Sequence, residues 1–435
     1  MQKEVKKSWA LFMGIGIIMI AQGLQNNLMG IRSVIENFST LTTGIFMSGY
    51  FVGYFFGSHT TPILISKVGH IRVFAAFASL ASLSILIAVT FVDPIMWTLS
   101  RFITGVSLVS CYIVSESWLN DRATNKNRGQ LLSTYMVVLW VGLAIGMLLL
   151  NIDSPENYGP FILVSILMSV SLVPILLTKR PAPKFKKIST LSLKELYKIS
   201  PLGFVSSFFT GAMHAGFLSL LSVYATAANY SLFETSIILT VAVLSGALAQ
   251  GPIGYLSDNY DRRKIIIIST LLSSIFALFC IISSNSPEQN LYWASEFDAS
   301  KIVFIIFIGL YSCFSLPLFS QNLAHTNDYV PKEKFVAAGG GLQIVFGVGA
   351  ITGPIIGAIF MESINLNGFF VFLIITNLLI ATFGIYRSRI RETVDNPESS
   401  YTPLPQTITP VGLELDPTTP ETLDNPTVVE EKPAN

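Results

Sequence analysis

Residues 254–264 read Gly254-Tyr255-Leu256-Ser257-Asp258-Asn259-Tyr260-Asp261-Arg262-Arg263-Lys264, directly after an apolar run that begins near Ser236. A weaker copy, Pro62-Ile63-Leu64-Ile65-Ser66-Lys67-Val68-Gly69-His70-Ile71-Arg72, follows the apolar run from Thr43, 192 residues earlier. Gly142 and Gly146 recur as Gly349 and Gly353 at an offset of 207, and the extra 15 residues fit the long polar stretch from Ser284 to Ser300. Landmarks that recur in the same order indicate one internal repeat, so the chain divides into two homologous halves.

Each half carries six runs that meet the need of a bilayer-crossing helix, roughly 20 mostly apolar residues. They lie near Trp9 to Ile31, Thr43 to Ser66, Val73 to Phe91, Ile95 to Trp118, Leu131 to Leu150 and Pro160 to Thr178. The second six lie near Gly203 to Ala225, Ser236 to Ser257, Ile265 to Ser283, Ile302 to His325, Val336 to Met361 and Gly368 to Ile385. The predicted fold class is an all-α integral membrane protein with 12 transmembrane helices in two six-helix bundles. Lys3, Lys6 and Lys7 precede the first run, which is too long for a signal peptide and lacks a small-residue cleavage site, so it reads as a retained span. Loops on one side hold 24 of the 27 lysines and arginines, and the other side holds two, Arg32 and Lys301. Because short basic loops stay in the cytoplasm, both termini are expected there.

The composition fits: 51% of the 435 residues are hydrophobic and 12% charged, about half the charge of an average soluble domain. A net charge of +1 gives no basic surface for nucleic acid. Cys111, Cys280 and Cys313 fall inside apolar runs without close spacing, which indicates neither disulfides nor a metal site. No phosphate-cradling glycine loop, HExxH or Ser-His-Asp grouping is present, so neither ATP drive, a catalytic centre nor a cofactor is expected. The organisation expected is a bundle over residues 1–178, a basic linker over 179–199, a second bundle over 200–386 and a tail over 387–435. That tail holds eight prolines and eight threonines with few aromatics, a composition expected to stay disordered.

Polar groups inside the spans mark candidate sites, since lipid offers them no partners. Gln22, Gln25 and Asn26 share one face of the first span, with Asn27 beside them, and should line a cavity or bridge helices. Arg101 lies about four residues inside the fourth span; it either binds a polar substrate group or steers a proton, or it snorkels to the interface. Glu116, about 22 Å further along that helix, either titrates during coupling or, the favoured reading, latches to Arg72 or Arg128. His214, mid-span in the seventh run, is a substrate or proton group, or a packed core histidine. Gln250, Gln321 and Gln343 are weaker candidates. At the end of the eighth span, Asp258 with Arg262 and Arg263 after Gly254 reads as a charge-paired gate, against the plainer reading of positive-inside charge. Glycines spaced by four, Gly49, Gly53 and Gly57, then Gly349, Gly353 and Gly357, form small ridges for close packing, and Gly353-Pro354 marks a candidate bend.

With those residues in place, the chain from about Trp9 to Arg389 resembles the major facilitator superfamily. The resemblance is carried by the two six-helix halves, the basic middle loop, Gly254-x-Leu256-x-Asp258 with Arg262, Arg101-x-x-x-Gly105 and Gly349-x-x-x-Gly353-Pro354. Arg101-Phe102-x-x-Gly105, Glu116-Ser117, Asn127-Arg128-Gly129-Gln130-Leu131-Leu132 and Gly69-His70-Ile71-Arg72 are similar to its YcaD-like bacterial subgroup. The resemblance implies a secondary transporter of the bacterial inner membrane working by rocker-switch motion. It also implies that Asp258 and Arg262 stabilise one facing state and that Arg101 takes part in proton coupling. Met147 stands where the antiporter signature has proline, which argues against drug:proton antiport.

The expected function is therefore a proton-coupled transporter of a small organic solute, with its cavity between the first, fourth, seventh and tenth spans and export favoured by Gly353-Pro354. Its partners are the solute, protons and the bilayer. The alternative is a transport-inactive scaffold or sensor acting through the middle loop or the tail.

Overall fold

The computed structural model describes residues 8–124, 126–177, 191–284, 299–391 and 399–418. Among the described residues the chain is helical, with no strand. The long helices of the first half are α1 (Trp9–Ile35), α2 (Thr40–Val68), α3 (His70–Thr90), α4 (Pro94–Arg122), α5 (Arg128–Leu148) and α6 (Gly159–Val170, continued by Leu172–Leu176). Those of the second are α7 (Pro201–Ala227), α8 (Leu232–Asn259), α9 (Arg262–Ser284), α10 (Ala299–Ser315, continued by Leu318–Asn327), α11 (Phe335–Ser363) and α12 (Gly368–Ile390). Among the described residues, eleven helices are long and apolar enough to cross a membrane; α2 has the length, but its polar and glycine content leaves it below the others in apolarity.

Local chemistry sets the helix ends. Ser231 and Glu234 form a reciprocal capping box that starts α8. Asp93 accepts from the N–H groups of Ile95 and Met96 to start α4, with Pro94 at the first helical position. Between α2 and α3 the chain reverses at one residue, Gly69, whose φ of 86° suits glycine.

Packing repeats with the sequence. In the first half α1 packs on α5, α2 on α4, and α3 on α4 and α6; in the second α7 packs on α11, α8 on α10, and α9 on α10 and α12. The glycine pairs that share the 207-residue offset do the same job in each half. A Cβ on Gly146 would strike the Ile20 carbonyl, and one on Gly349 or Gly353 would strike the Phe208 or Ala212 carbonyl. Glycine there lets two helices pack at backbone distance where burial of side chains gives little drive.

The halves meet through α1 with α7, α2 with α11 and α5 with α8. Several of these contacts lie away from the basic loops: Gly30 against Ser222, Gly44 against Pro354 and Ala358, and Asn151 donating to Ser236 Oγ at 2.8 Å. α11 is one continuous helix with Pro354 inside it, and Gly353-Pro354 also serves as a packing element. Gly353 faces its own half and Pro354 the other.

At the end with the basic loops the halves part, and residues 399–418 lie between them. For residues 387–391 and 399–418 this corrects the expectation of a disordered tail over 387–435; residues 392–398 and 419–435 lie outside the described residues. α12 extends to Ile390, and Tyr401, Leu404, Ile408, Val411, Leu413 and Leu415 are buried. A segment too poor in apolar residues to build its own core can complete a core built by others. The expected linker 179–199 falls largely outside the described residues, and its end forms a short helix, Leu193–Ile199.

Candidate functional site

A cavity of about 640 Å³ lies between the halves, within the range of small-molecule sites. Gln22, Asn26 and Asn27 of α1, Tyr50 and Tyr54 of α2, Trp140 of α5, His214 of α7 and Gln343 and Phe346 of α11 line it, and Gln406 and Thr407 form part of its floor. Among the described residues, no Asp, Glu, Lys or Arg lines it. The expected frame of first, fourth, seventh and tenth spans therefore needs correction. α4 contributes Ile113 and α10 nothing, while α2, α5 and α11 take their place. α7 and α11 stand in front of α10, with His214 over its Ser315 carbonyl and Phe346 edge-on to Phe319.

Arg101 of α4 is buried behind α1 and α2 and does not snorkel. Its Nη2 donates to Asn26 Oδ1 at 2.7 Å, and its guanidinium lies 4.8 Å from the centre of the Tyr50 ring. Asn26 passes the link across the interface by donating to the Leu218 carbonyl of α7 at 3.1 Å. Tyr50 accepts from Gln22 at 3.0 Å, and the Tyr112 hydroxyl donates to the Gln22 carbonyl oxygen. One buried cation thus orients two cavity amides and one phenol without entering the cavity. Gln25 turns away and donates to Thr104 of α4 at 3.1 Å.

His214 is anchored from one side. Pro317 interrupts α10, and Nε2 of His214 lies 2.9 Å from the Ser315 carbonyl. A carbonyl only accepts, so Nε2 carries the hydrogen. Nδ1 has no partner among the described residues and is buried beside the cavity.

The charged elements at the basic-loop end converge on the tail. Arg262 pairs with Asp258 at 2.9 Å and with Asp328 at 2.6 Å, and donates to the Ala324 carbonyl and to both Ser399 oxygens. Asp258 also accepts from the Tyr401 N–H at 2.7 Å, and the Tyr401 ring rests on Gly254, where a Cβ would collide with it. Arg263 pairs with Asp261 at 3.0 Å and donates to the Arg391 carbonyl. Glu116 is not held by the expected arginine latch. Its carboxylate accepts from the Tyr135 hydroxyl and from the Thr409 hydroxyl and N–H, while exposed Arg72 turns back to the Val68 carbonyl and Arg128 reaches the Asp416 carbonyl. Gln250 accepts from the Tyr401 hydroxyl, and Gln321 donates to Ser269 at 3.4 Å, so of the three weaker amide candidates only Gln343 borders the cavity.

The sequence profile described as Major Facilitator Superfamily matches residues 11–248 and 203–419. The chain belongs to the major facilitator superfamily. This superfamily member is a multi-pass membrane transporter and not an enzyme. It is 25% identical over 371 residues to the MFS-type transporter YcaD of Escherichia coli (strain K12 / DH10B), covering 83% of this chain and 90% of that protein, and equally to YcaD of Shigella flexneri. Its fold is similar to the nucleoside transporter NupG, with a TM-score of 0.69 at 14% identity, covering 87% of this chain and 98% of the other. It is also similar to a bacterial homologue of the human lysosomal transporter Spinster in an inward-facing, occupied conformation. There the TM-score is 0.69 at 13% identity, covering 88% and 97%.

In this transporter, sequence reasoning missed the aromatic wall of Tyr50, Tyr54, Trp140 and Phe346. Tyr50 and Tyr54, spaced by four beside the Gly49 and Gly53 ridge, were the available signal. It also missed Asp328, which shares Arg262 with Asp258. Burial pushes the Asp328 carboxyl up to about 6 against the pull of Arg262, with Asp258 and Asp261 adding to the rise. A carboxyl whose folded pKa exceeds its unfolded value destabilises the fold progressively as pH climbs from about 4 to about 6. Asp328→Asn removes that dependence. The melting temperature of the unmodified protein should therefore fall more than the variant's over this interval, and parallel melting curves at each pH would refute the assignment.

Proposed function

We propose that this protein is a secondary transporter of a neutral, ring-bearing organic solute with several hydrogen-bonding groups, moved by alternating access across the bacterial inner membrane. The observation that carries the reading is a cavity between the two halves that offers aromatic faces and amides and, among the described residues, no formal charge. A charged solute would lose its hydration there without an ion partner, at a large cost. A neutral solute can stack on the rings and exchange hydrogen bonds with Gln22, Asn26 and Gln343. The 24-to-two bias of basic residues supports both termini in the cytoplasm. The cavity then lies toward the cytoplasmic side, a state that importers and exporters both pass through.

The reading is tested by thermal stabilisation of the purified protein against a panel, since a ligand of the folded state raises apparent stability. Nucleosides, neutral hexoses and phenolic amides form one arm, and nucleotides and carboxylated sugars the other. Stabilisation confined to the neutral arm is expected; stabilisation by the charged arm alone overturns the reading. Flux into inside-out against right-side-out vesicles then fixes direction.

Among the described residues two imidazoles border the cavity, His59 and His214; proton coupling is assigned to His214, whose Nδ1 is buried and unpartnered, whereas His59 Nδ1 is engaged with the Phe55 carbonyl. Ligand affinity should change about tenfold for each unit by which binding moves the imidazole pKa. His214→Gln should retain binding but lose that pH dependence. An unaltered pH profile in the variant rules out the assignment.

A further inference from the structure

We propose that residues 399–418 are a built-in plug that fills the cytoplasmic mouth and holds the transporter inward-facing until it is withdrawn. This rests on the alternating-access reading above, and it assigns a regulator to the same cavity.

The segment is tied to both halves. In the first half Tyr54 donates to the Thr407 carbonyl at 2.7 Å, Asn120 to the Val411 carbonyl at 2.6 Å, and Thr409 binds Glu116. In the second, Ser399 and Tyr401 take up Arg262 and Asp258, Leu404 N–H donates to Ser320 at 3.1 Å, and Leu413 packs over Gly339. Its apolar residues are buried at these contacts. For the mouth to close, the ends of α2, α4 and α5 must approach those of α8, α10 and α11, through the space the segment occupies. Closure and occupancy therefore exclude each other. The segment also floors the cavity through Pro405, Gln406, Thr407, Pro410 and Val411, so a solute cannot exchange with the cytoplasm past it.

The contacts are specific as well as space-filling. Glu116 is fully buried, and apart from Tyr135 its donors come from the segment. Gly412 lies so close to that carboxyl that a Cβ would sit 2.6 Å from its carbon. Removing the segment leaves a carboxyl short of donors and the Asp258–Arg262–Asp328 cluster without Ser399 and Tyr401, which favours return of the segment over an empty mouth. Because the segment binds one facing state and is excluded from the other, it shifts the equilibrium by its whole docking free energy.

The test is distance measurement between spin labels on Lys67→Cys and Asn259→Cys, at the cytoplasmic ends of α2 and α8, with Cys111, Cys280 and Cys313 replaced by alanine. The complete chain should show one long distance. A chain ending at Arg391, and separately the full-length double variant Ser399→Ala, Tyr401→Ala, should add a shorter distance in at least a tenth of molecules. A synthetic peptide of residues 399–418 added to the truncated protein should remove it. Flux of a solute found in the panel should rise several-fold on truncation. Unchanged distances in both variants, each monodisperse, or unchanged flux on truncation, overturn the plug. The distances require no solute. A plug that shifts them in a protein that moves nothing supports the plug and refutes the transport reading, whereas flux indifferent to the segment does the reverse.

Discussion

Leucine in place of Gly353 is expected to yield no monodisperse protein. A Cβ at this position would already collide with the Ala212 carbonyl oxygen and lie 2.7 Å from its carbon and 2.8 Å from its Cα. These are backbone atoms of α7, held by the helix's own hydrogen bonds, so no rotamer change relieves the clash. The remaining route is to push α11 off α7, which also breaks the Gly349 contact with Phe208 and the Gly211 contact with Phe346. Overpacking in a close-packed interior costs about 1–3 kcal/mol where side chains can yield, and here they cannot. Gly347→Ala on the same helix is the internal comparison. Its Cβ would meet only Phe55 at 3.4 Å, and the variant should melt within a few degrees of the unmodified protein. Size-exclusion profiles and melting curves of the two variants check this, and a folded Gly353→Leu protein would contradict the packing.

Arg101→Met is expected to weaken solute binding by about 10- to 100-fold while the protein stays folded. Methionine keeps much of the buried stem and removes the charge-assisted bond to Asn26, worth roughly 1.5–3 kcal/mol. It also removes the guanidinium beside Tyr50, an interaction of about 2 kcal/mol when desolvated. Freed from Arg101, Asn26 can turn its amide, and both the α1–α7 link and the presentation of Gln22 by Tyr50 loosen. Arg101 works through other residues, so the loss should appear for all ligands alike, and Arg101→Lys should recover part of it. Binding isotherms decide the matter, and an affinity unchanged in Arg101→Met would remove Arg101 from the site.

The all-helical membrane class, the packing that repeats between the halves and the pairing of Asp258 with Arg262 were legible in the sequence because each depends on spacing along one helix or on a landmark that recurs. That Arg101 and the polar face of α1 each needed partners was legible from their place in a span, but that Asn26 and Arg101 serve one another was not. What stayed hidden depends on how helices are turned and which state they adopt. Gln22 and Gln25 share a face by spacing, yet the angle of about 60° between them is enough to put one in the cavity and the other against α4. That α2, α5 and α11 line the cavity instead of α4 and α10 follows from the halves parting at one end, which no local pattern encodes. Composition misreads residues 399–418 because it averages over order. Tyr401, Leu404, Ile408, Val411, Leu413 and Leu415 recur every two to four residues, and those positions find a surface prepared by both halves.

The modest apolarity of α2 bears on how the protein is made. A nascent helix leaves the insertion machinery for lipid on the strength of its own hydrophobicity, and α2, with its glycine ridge, Ser58, His59 and Thr60, falls outside the eleven helices apolar enough to cross a membrane. Its stability in the bilayer comes from α4, whose backbone it touches at Gly53 and Gly105. Because α4 is synthesised two helices later, α2 gains this packing partner only late in the translation of its half. The second half faces no such delay, since α8 is apolar enough to enter unaided.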